Sequence, residues 1–407
     1  MRWFILLAIY FVVDIYAYQA IRNLNRNNWI AVFYFVLSAI VVFNLIYQFN
    51  QESGAGTFSG GRGLAIGFFL SLFAAKLVMV IFMLGEDIIR MPVGAFQRLF
   101  GASDNLSIPS RRKFLSTLAI GLAAIPFAGL LYGMYKGKYN FRVLRYTLYF
   151  EDLPSSFDGY KITQVSDIHS GSFDNHKKIN YAVDLVNEQE SDVILFTGDL
   201  VNNKATEMNE WKPVFSRLKA NDGVFSVLGN HDYGDYVQWS SEAEKSQNLE
   251  DLKKVHADMG WNLMLNENRF LQKSGEKIAL VGVENWGAGF KQAGDLKKAS
   301  EGVSKEDFKI LMSHDPSHWE KEVKQDDLNY HLTLSGHTHG MQFGIEIPGW
   351  FQWSPVQYRY KYWAGIYEEM GRYINVNRGF GFLAYPGRIG IWPEISVIEL
   401  KKGSKPA

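Results

Sequence analysis

Gly229-Asn230-His231-Asp232 follows the apolar run of residues 224–228 in this chain of 407 residues. A short apolar run rich in Val and Phe predicts a buried strand, and a glycine after it predicts a turn. The three polar side chains of that turn offer an amide oxygen, imidazole nitrogens and carboxylate oxygens, which are groups that bind divalent metals. The stretch therefore predicts a strand whose carboxyl end carries metal-binding chemistry.

Four further blocks repeat this arrangement of a turn rich in Asp and His after an apolar run. They are Asp167-Ile168-His169, Gly198-Asp199, Ser313-His314-Asp315 and Gly336-His337-Thr338-His339. Asp167, Asp199 and Asn230 follow one another at intervals of about 30 residues, which is the length of one strand–helix–strand unit. In open α/β sheets, ligands collect at the carboxyl ends of the strands, where these residues fall. The five blocks therefore predict one shared site.

From about residue 141 onward, β-branched or aromatic runs alternate with helical stretches. Strands are predicted at residues 161–165, 193–197, 224–228, 278–283, 310–313, 331–334, 373–376 and 395–400. Helices are predicted at residues 177–190, 209–219, 249–259 and 291–300. Such alternation predicts an α/β domain in which helices cover the sheet.

Apolar stretches long enough to cross a bilayer core of roughly 30 Å precede this domain. They comprise residues 3–21, 29–47, 64–85 and 114–135. Asp14 and Lys76 fall inside two of the stretches, and we expect them to pair between helices rather than to form a transport path. The sequence predicts a transmembrane region at residues 1–140 and a soluble domain at residues 141–407.

Charges in the connections predict how the chain crosses the membrane. The connection between the third and fourth stretches is basic, with Arg90, Arg98, Arg111, Arg112 and Lys113. The positive-inside rule makes this connection cytoplasmic, so the fourth helix leads the soluble domain to the extracytoplasmic side of the cell membrane. Ser110-Arg-Arg-Lys-Phe-Leu115 also resembles a twin-arginine export signal. The alternative is that the two arginines only flank a helix, and Lys136 and Lys138 weaken the charge contrast across it.

Composition excludes some classes of function. The chain has 42 basic and 42 acidic side chains, but the first 140 residues are net basic and the remainder net acidic. An acidic soluble part argues against binding along a nucleic-acid backbone, which requires a basic surface. The chain has no cysteine, so any metal must use carboxylate, amide or imidazole ligands.

The residue types of the five blocks suit hydrolysis of a phosphate ester. Two metal ions can supply the nucleophile and neutralise the phosphoryl oxygens. Asp167 and His169 can serve one metal, and Asp199 is the best candidate for a bridging carboxylate because Gly198 lets the backbone approach closely. The neutral oxygen of Asn230 limits the negative charge of the site. Three histidines complete the ligands of the two metals: His314, His337 and His339.

The series D-x-H, G-D, G-N-H-D, H and G-H-T-H resembles the calcineurin-like metallophosphoesterase superfamily, in order, over residues 160–400. Together with the twin-arginine-like helix, it most resembles the membrane-anchored bacterial phosphodiesterase branch. The resemblance implies a four-layer αββα sandwich and two divalent metal ions, which vary between Mn, Fe and Zn in the family. One departure is Gly340-Met341-Gln342, where the branch often has two glycines before the glutamine.

The resemblance also implies a role for each residue of the blocks. One metal would be held by Asp167, His169, Asp199 and His339. The other would be held by Asp199, Asn230, His314 and His337. His231 would contact the phosphate and stabilise or protonate the leaving group, with Asp232 orienting its ring.

Two features outside the blocks bear on the substrate. Arg378 and Arg388 lie in a glycine-rich segment, and either could bind a phosphate, although hydrogen bonds to loop carbonyls are an equal alternative. Residues 348–363 are rich in Trp and Tyr, so this segment either contacts the bilayer at headgroup level or packs beneath the site. The membrane bilayer and a phosphate-ester substrate are therefore the expected partners.

The sequence thus predicts a dinuclear metal-dependent hydrolase of phosphate esters. We expect a phosphodiesterase that acts on an envelope or lipid-linked substrate through a metal-bridging hydroxide. The first alternative is a cytoplasmic-face pyrophosphatase of a lipid-linked nucleotide sugar of the UDP-diacylglucosamine type, which requires the opposite topology. The second is a non-enzymatic metal-binding membrane sensor. The intact G-N-H-D argues against it, because such a sensor has no need for a histidine that is not a ligand.

Overall fold

The computed structural model of the chain describes residues 2–51, 60–100, 109–347 and 349–405. The chain divides into two compact units. One comprises the residues up to Glu52 together with Gly61–Tyr135, and the other contains Lys136–Ala407.

The first unit is helical. Its helices are α1 (Arg2–Leu24), α2 (Asn28–Asn50), α3 (Gly61–Phe100) and α4 (Pro109–Tyr135). Three segments are long and apolar enough to cross a membrane. They are Asn28–Asn50 in α2, Gly61–Phe96 in α3, and Arg111–Tyr139, which covers most of α4 and the residues directly after it. These confirm three of the four predicted spans. Helix α1 covers the first predicted stretch without meeting the same criterion, so its crossing of the membrane stays a prediction.

A buried ion pair joins two helices of this unit. The Nζ of Lys76 on α3 lies 2.6 Å from Oδ1 of Asp14 on α1. The ammonium also donates to the hydroxyl of Tyr10 at 2.8 Å and to that of Ser38 on α2 at 2.6 Å. This confirms the expected interhelical pairing. Each charge in the bundle needs the other, because an unpaired charge away from water is costly.

We predict that Lys76→Met alone destabilises the helical unit by roughly 3–5 kcal/mol, because it leaves the Asp14 carboxylate buried without its cation. The double variant Asp14→Asn/Lys76→Met removes both charges and should recover much of that loss. Thermal unfolding of the full chain in lipid nanodiscs measures both effects. If the losses of Lys76→Met and of Asp14→Asn measured singly add up to the loss of the double variant, the two residues are not coupled, which would contradict the prediction.

The second unit is built from short strands and helices. Its strands are β1 (Arg142–Phe150), β2 (Lys161–Val165), β3 (Val193–Phe196), β4 (Val224–Ser226), β5 (Asn262–Leu263), β6 (Glu267–Lys273), β7 (Glu276–Gly282), β8 (Lys309–Met312), β9 (Leu332–Ser335), β10 (Ile345–Ile347), β11 (Phe351–Trp353), β12 (Gly365–Glu369), β13 (Arg372–Val376) and β14 (Glu394–Lys402). Its helices are α5 (His176–Asn187), α6 (Lys212–Phe215), α7 (Glu242–Asp258), α8 (Leu296–Ala299) and α9 (Pro316–Lys321).

Two six-stranded sheets form the two inner layers of this unit. Their strand orders are β1-β14-β2-β3-β4-β5 and β12-β13-β9-β8-β7-β6. Within them, β2, β3 and β4 run parallel, as do β7, β8 and β9. A core that includes Ile162 and Leu195 of the first sheet and Leu280 and Ile310 of the second fills the space between the sheets.

Helices cover the outer faces of both sheets. On the first sheet, α5, α6 and α7 bury apolar residues such as Val183, Phe215 and Leu252. On the second, α8 and α9 bury residues that include Leu296 and Trp319. The order helix, sheet, sheet, helix confirms the four-layer αββα sandwich.

Several predicted elements differ in length from the observed ones. The helix predicted at residues 209–219 is reduced to the single turn α6, which has a proline in its first turn. The helix predicted at residues 249–259 begins earlier, at Glu242, because the Ser241 hydroxyl accepts the Glu244 N–H and caps it. Strand β1 was not predicted, and it pairs in parallel with the distant strand β14.

Candidate metal centre

The polar blocks lie at the carboxyl ends of parallel strands in both sheets. Asp167, Asp199 and Asn230 follow β2, β3 and β4, respectively. His314 and His337 follow β8 and β9 of the other sheet. The same edge of each sheet therefore contributes to one cluster of side chains.

A first group of donor atoms comes from Asp167, His169 and His339, whose donor atoms all lie within 4.8 Å of one another. His169 Nε2 is 3.0 Å from His339 Nε2, and His339 Nε2 is 3.2 Å from Asp167 Oδ1. All three side chains are buried. The first group therefore brings two imidazoles and one carboxylate to a common point.

A second group comes from Asp199, His314 and His337, again with donor atoms within 4.8 Å of one another. His314 Nε2 lies 3.1 Å from Asp199 Oδ2, and His337 Nδ1 lies 2.8 Å from Asn230 Oδ1. Asp199 Oδ2 is also 3.6 Å from His169 Nε2. Asp199 belongs to the second group, and through His169 it also lies close to the first.

The donor atoms fit around divalent cations. Two donors each about 2.1 Å from a shared cation lie roughly 3–3.4 Å apart, which is close to the distances between these atoms. His314 Nε2 lies 3.1 Å from Asp199 Oδ2 and is buried without a hydrogen bond among the described residues. Imidazole, carboxylate and amide donors together suit metals such as Mn, Fe and Zn.

The electrostatics of the cluster favour a positive charge. Burial opposes protonation of His314, but the carboxylates of Asp199 and Asp167 raise its pKa to about 10. Burial lowers the pKa of His169 and of His337, which keeps these rings neutral and able to act as ligands. A cation placed among these groups would compensate the negative charge of the two buried carboxylates.

The backbone is strained at most of these positions. Asp167, His169, Asp199, His337 and His339 all have positive φ, between 48° and 71°. Side chains other than glycine rarely adopt this conformation, and it is concentrated at functional sites where the surrounding structure enforces it. The fold therefore maintains an unfavourable backbone in order to aim the donor atoms.

Two glycines allow the loops to meet. A Cβ at Gly198 would lie 2.5 Å from the backbone nitrogen of Gly229, which confirms the predicted close approach. A Cβ at Gly336 would lie 1.9 Å from Ser166 Oγ and 2.2 Å from Asp167 Oδ2. Any side chain at either position would push the donor-bearing loops apart.

His231 lies beside the cluster and lines a cavity next to it. Its Nδ1 is 2.8 Å from the carbonyl oxygen of Asn202, and its ring contacts that of Tyr236, with centroids 4.4 Å apart and the planes tilted by 33°. These contacts orient the ring and leave Nε2 as the nitrogen available to a substrate. The role expected of His231, acting on the leaving oxygen, stays a prediction.

Asp232 differs from the role expected of it. Its carboxylate accepts the backbone N–H groups of Asp199 at 2.9 Å, Leu200 at 2.8 Å and Gly229 at 2.8 Å, rather than contacting the His231 ring. The expectation that it orients the ring is corrected, because the side chain points into the loop and is fully buried. Asp232 is a positioning residue for Asp199.

Arg378 and Arg388 do not border the cavity. Arg378 donates to Glu394 at 2.6 Å and to Glu346 at 2.5 Å, and it is buried. Arg388 is fully buried, and its guanidinium donates to the Gly381 carbonyl oxygen at 2.7 Å. Both arginines therefore make structural hydrogen bonds, and the phosphate contact considered for them is not supported.

A cavity of about 340 Å³ adjoins the cluster. Its wall beyond the donor residues is formed by Tyr236, Phe290, Met341, Pro355, Val356, Arg359, Tyr360 and Leu383, together with His231 and Thr338. The Arg359 guanidinium lies over the rings of Phe290 and Tyr360, 5.1 and 5.5 Å from their centroids. Arg359 lies in the aromatic-rich segment of residues 348–363, and the sequence did not predict its place in the cavity wall.

Comparisons with known proteins bear on the two units separately. Residues 160–341 match the family described as calcineurin-like phosphoesterase. Residues 1–138 match one described as probable calcineurin-like phosphoesterase, transmembrane domain. A relative in Bacillus subtilis, described as uncharacterized metallophosphoesterase YkuE, is 30% identical over 72% of this chain and 98% of its own length. The chain belongs to the calcineurin-like phosphoesterase family.

Other relatives of this phosphoesterase come from distant organisms. Phosphodiesterase YaeI of Escherichia coli is 29% identical over 72% of this chain and 99% of its own length. A transmembrane protein with metallophosphoesterase domain from Danio rerio is 28% identical over 67% of this chain, which spans 60% of that protein. The chain is therefore a membrane phosphoester hydrolase of a family that uses divalent metals.

The phosphoesterase keeps its turn after the G-H-T-H block despite the missing second glycine. Gly340, Met341 and Gln342 all have positive φ, between 53° and 56°. Met341 thus adopts the left-handed backbone that a glycine would adopt more easily. Its side chain is exposed and lines the cavity, so the departure changes the surface of the site rather than the path of the loop.

We predict that Asp232→Asn lowers both the stability and the metal affinity of the phosphoesterase, because one amide oxygen cannot accept the backbone N–H groups that the carboxylate accepts. The loss should be of order 1.5–3 kcal/mol for each charged hydrogen bond. His231→Asn should lower turnover and leave stability and metal affinity unchanged. Thermal unfolding and metal titration of the two variants compare them. Equal effects of both substitutions on metal affinity would contradict the separate roles.

Proposed function

We propose that this protein is a dinuclear phosphodiesterase that hydrolyses a lipid-linked phosphodiester. The proposal depends on one observation above all. Asp199 of the second donor group lies 3.6 Å from His169 of the first, and both groups adjoin a cavity whose wall is largely apolar but contains one guanidinium. Such a site suits an anionic ester attached to an apolar group.

In this proposal the donor groups hold two divalent metal ions. Asp167, His169 and His339 hold one with Asp199, and Asn230, His314 and His337 hold the other with Asp199. When bound, the metals activate water for attack and neutralise the phosphoryl oxygens. Their identity among Mn, Fe and Zn is left open by the donor set.

The side chains around the metals complete the reaction. His231 presents Nε2 to the oxygen that leaves, where it donates a hydrogen bond or a proton, because its Nδ1 is engaged by the Asn202 carbonyl. Asp232 fixes the backbone at Asp199 through three strong N–H contacts. Arg359 lies in the aromatic part of the cavity wall, where its guanidinium can bind a phosphoryl oxygen.

The apolar wall supports a diester with a lipid on one side. Phe290, Met341, Pro355, Val356 and Leu383 are the apolar residues of this wall beyond the donors. A phosphate ester whose groups are all small and polar would make no use of it. The description of the Escherichia coli relative as a phosphodiesterase agrees with this proposal.

Arg359 favours one alternative substrate. A pyrophosphate of a lipid-linked nucleotide sugar carries a second phosphate, which a guanidinium beside the centre could bind. That substrate would be met at the cytoplasmic face, whereas the charges of the connections support an extracytoplasmic domain.

The side of the membrane remains part of the proposal. Arg112 of the predicted export signal donates to Gln19 at 3.0 Å and lies 4.0 Å from Glu86, so it has structural contacts within the helical unit. The proposed orientation therefore depends on the basic connection between α3 and α4 rather than on an export signal.

We predict that alkaline phosphatase fused after Ala407 is active, because the domain is proposed to be extracytoplasmic. Green fluorescent protein fused at the same position should not fluoresce, and the reverse result would contradict this orientation.

We predict that the full chain in detergent hydrolyses a soluble aryl phosphodiester with Mn²⁺, and that chelation abolishes this activity until metal is restored. Asp199→Asn should remove activity by about 10³-fold or more, because it weakens the ligand that both metals share. Asp327→Asn is a matched control, since this carboxylate is exposed and belongs neither to the donor groups nor to the cavity wall. Wild-type protein that stays inactive with Mn, Fe and Zn would contradict the proposal.

A further inference from the structure

Apolar side chains are exposed on one segment next to the site. The exposed side chains are Met341, Phe343, Ile345, Ile347, Trp350, Phe351 and Tyr358. Trp350 is 81% exposed, which is extreme for the largest apolar side chain. Contiguous apolar surface of this kind marks a site of interaction rather than a solvated face.

Strands β10 and β11 of this segment form a hairpin separate from the two large sheets. We call Ile345–Ile347 and Phe351–Trp353, with the turn between them, the apolar hairpin. Its pairs are Ile345 with Trp353, Glu346 with Gln352, and Ile347 with Phe351. Residues directly opposite one another share a face, so the hairpin has an apolar face and a polar one.

The polar face attaches the hairpin to its unit. Glu346 Oε1 accepts from Arg378 Nη2 at 2.5 Å and from Gln352 Nε2 at 3.1 Å. The buried Arg378 in turn donates to Glu394 on β14. A short hairpin is marginally stable in water on its own, so this ion pair explains how the apolar face is held outward.

The hairpin is continuous with the wall of the cavity. Met341 precedes it, Pro355 and Val356 follow it, and all three line the cavity. The hydroxyl of Ser354, directly after β11, donates to the Gly340 carbonyl oxygen at 2.8 Å. A surface that covers the apolar hairpin would therefore adjoin the entrance to the site.

We propose that the apolar hairpin inserts its Trp350 turn into the headgroup and acyl boundary of a lipid bilayer. The chain itself supports a bilayer as the occupant, because the second unit begins at Lys136, directly after α4. Exposed Trp350 and Tyr358 belong to the residue types that concentrate at membrane interfaces. Pairing with a second copy is disfavoured, because each strand has only three residues to offer as an edge.

Other aromatics of the segment belong to the interior. Tyr362 and Trp363 are buried in apolar clusters of the unit. These two side chains therefore pack inside the unit and do not contact the bilayer. Bilayer contact is therefore confined to the turn and apolar face of the hairpin. With the proposed function, on which this last step rests, insertion would let a lipid phosphodiester pass from the bilayer into the cavity beside Met341.

The test of insertion uses the absence of native cysteine in the chain. Trp350→Cys gives a unique thiol for an environment-sensitive fluorophore on the full chain reconstituted in liposomes. Lipids that carry a quencher at shallow acyl depth should quench this label. Met370→Cys is the matched control, because Met370 is 70% exposed at the turn between β12 and β13, away from the apolar hairpin in sequence.

The label at position 350 should be quenched and blue-shifted, and the label at position 370 should stay unquenched. Equal quenching at both positions, or none at position 350, would overturn the proposal. Shielding at position 350 that grows with the protein-to-lipid ratio and is independent of the quencher would indicate a second copy and would also overturn it. None of these readings needs enzymatic activity, so they are independent of the proposed function.

A second arm tests whether insertion serves catalysis. Trp350→Ser/Phe351→Ser should slow hydrolysis of a phosphodiester embedded in vesicles by about tenfold or more, since burying one large apolar side chain shifts partitioning by that factor. Hydrolysis of a soluble aryl diester should be unchanged, because neither residue lines the cavity. Equal loss on both substrates would overturn the coupling, and absence of all hydrolysis in the wild type would instead refute the proposed function.

Discussion

The Asp199 carboxylate is buried where two groups of donor atoms meet, and the rest of the catalytic unit is arranged around it. Its Oδ2 lies 3.1 Å from His314 and 3.6 Å from His169, so it faces both groups at once. A buried carboxylate is costly unless positive charge or hydrogen bonds compensate it. The loops supply the geometry through Gly198, and Asp232 accepts the Asp199 N–H and fixes the turn.

The structure brings most of the predicted donor residues into two groups, and the sequence signal for them is local. Each donor follows an apolar run that forms a strand, and the strand at residues 161–165 has the bounds that were predicted. The pairing of β1 with β14 was missed, because it joins segments that are distant in sequence. The side chain of Asp232 was assigned to its neighbour His231, whereas its direction depends on loop packing. Arg359 reaches the cavity through the path of a long loop, which no spacing reveals.

Each of the two units has features suited to contact with a membrane. The helical unit contains three segments able to cross a bilayer and an internal ion pair that stabilises the contact between α1 and α3. The catalytic unit exposes Trp350 on a hairpin whose polar face is attached by Arg378. Arg378 was a candidate for binding phosphate, with a structural role as the equal alternative. In the structure it links the hairpin to β14, so its place in the fold could be found only from long-range contacts.

We propose that Asp199 joins two metal ions in one centre, and the metal content of the chain is the sharpest test of this proposal. The full chain, loaded with Mn²⁺ and freed of excess metal, can be measured by elemental analysis alongside the Asp199→Asn variant at equal protein concentration. We expect two ions per chain in the wild type and fewer than two in the variant, with the fold of both retained. One ion per chain in a fully active wild type, or two in the variant, would contradict it.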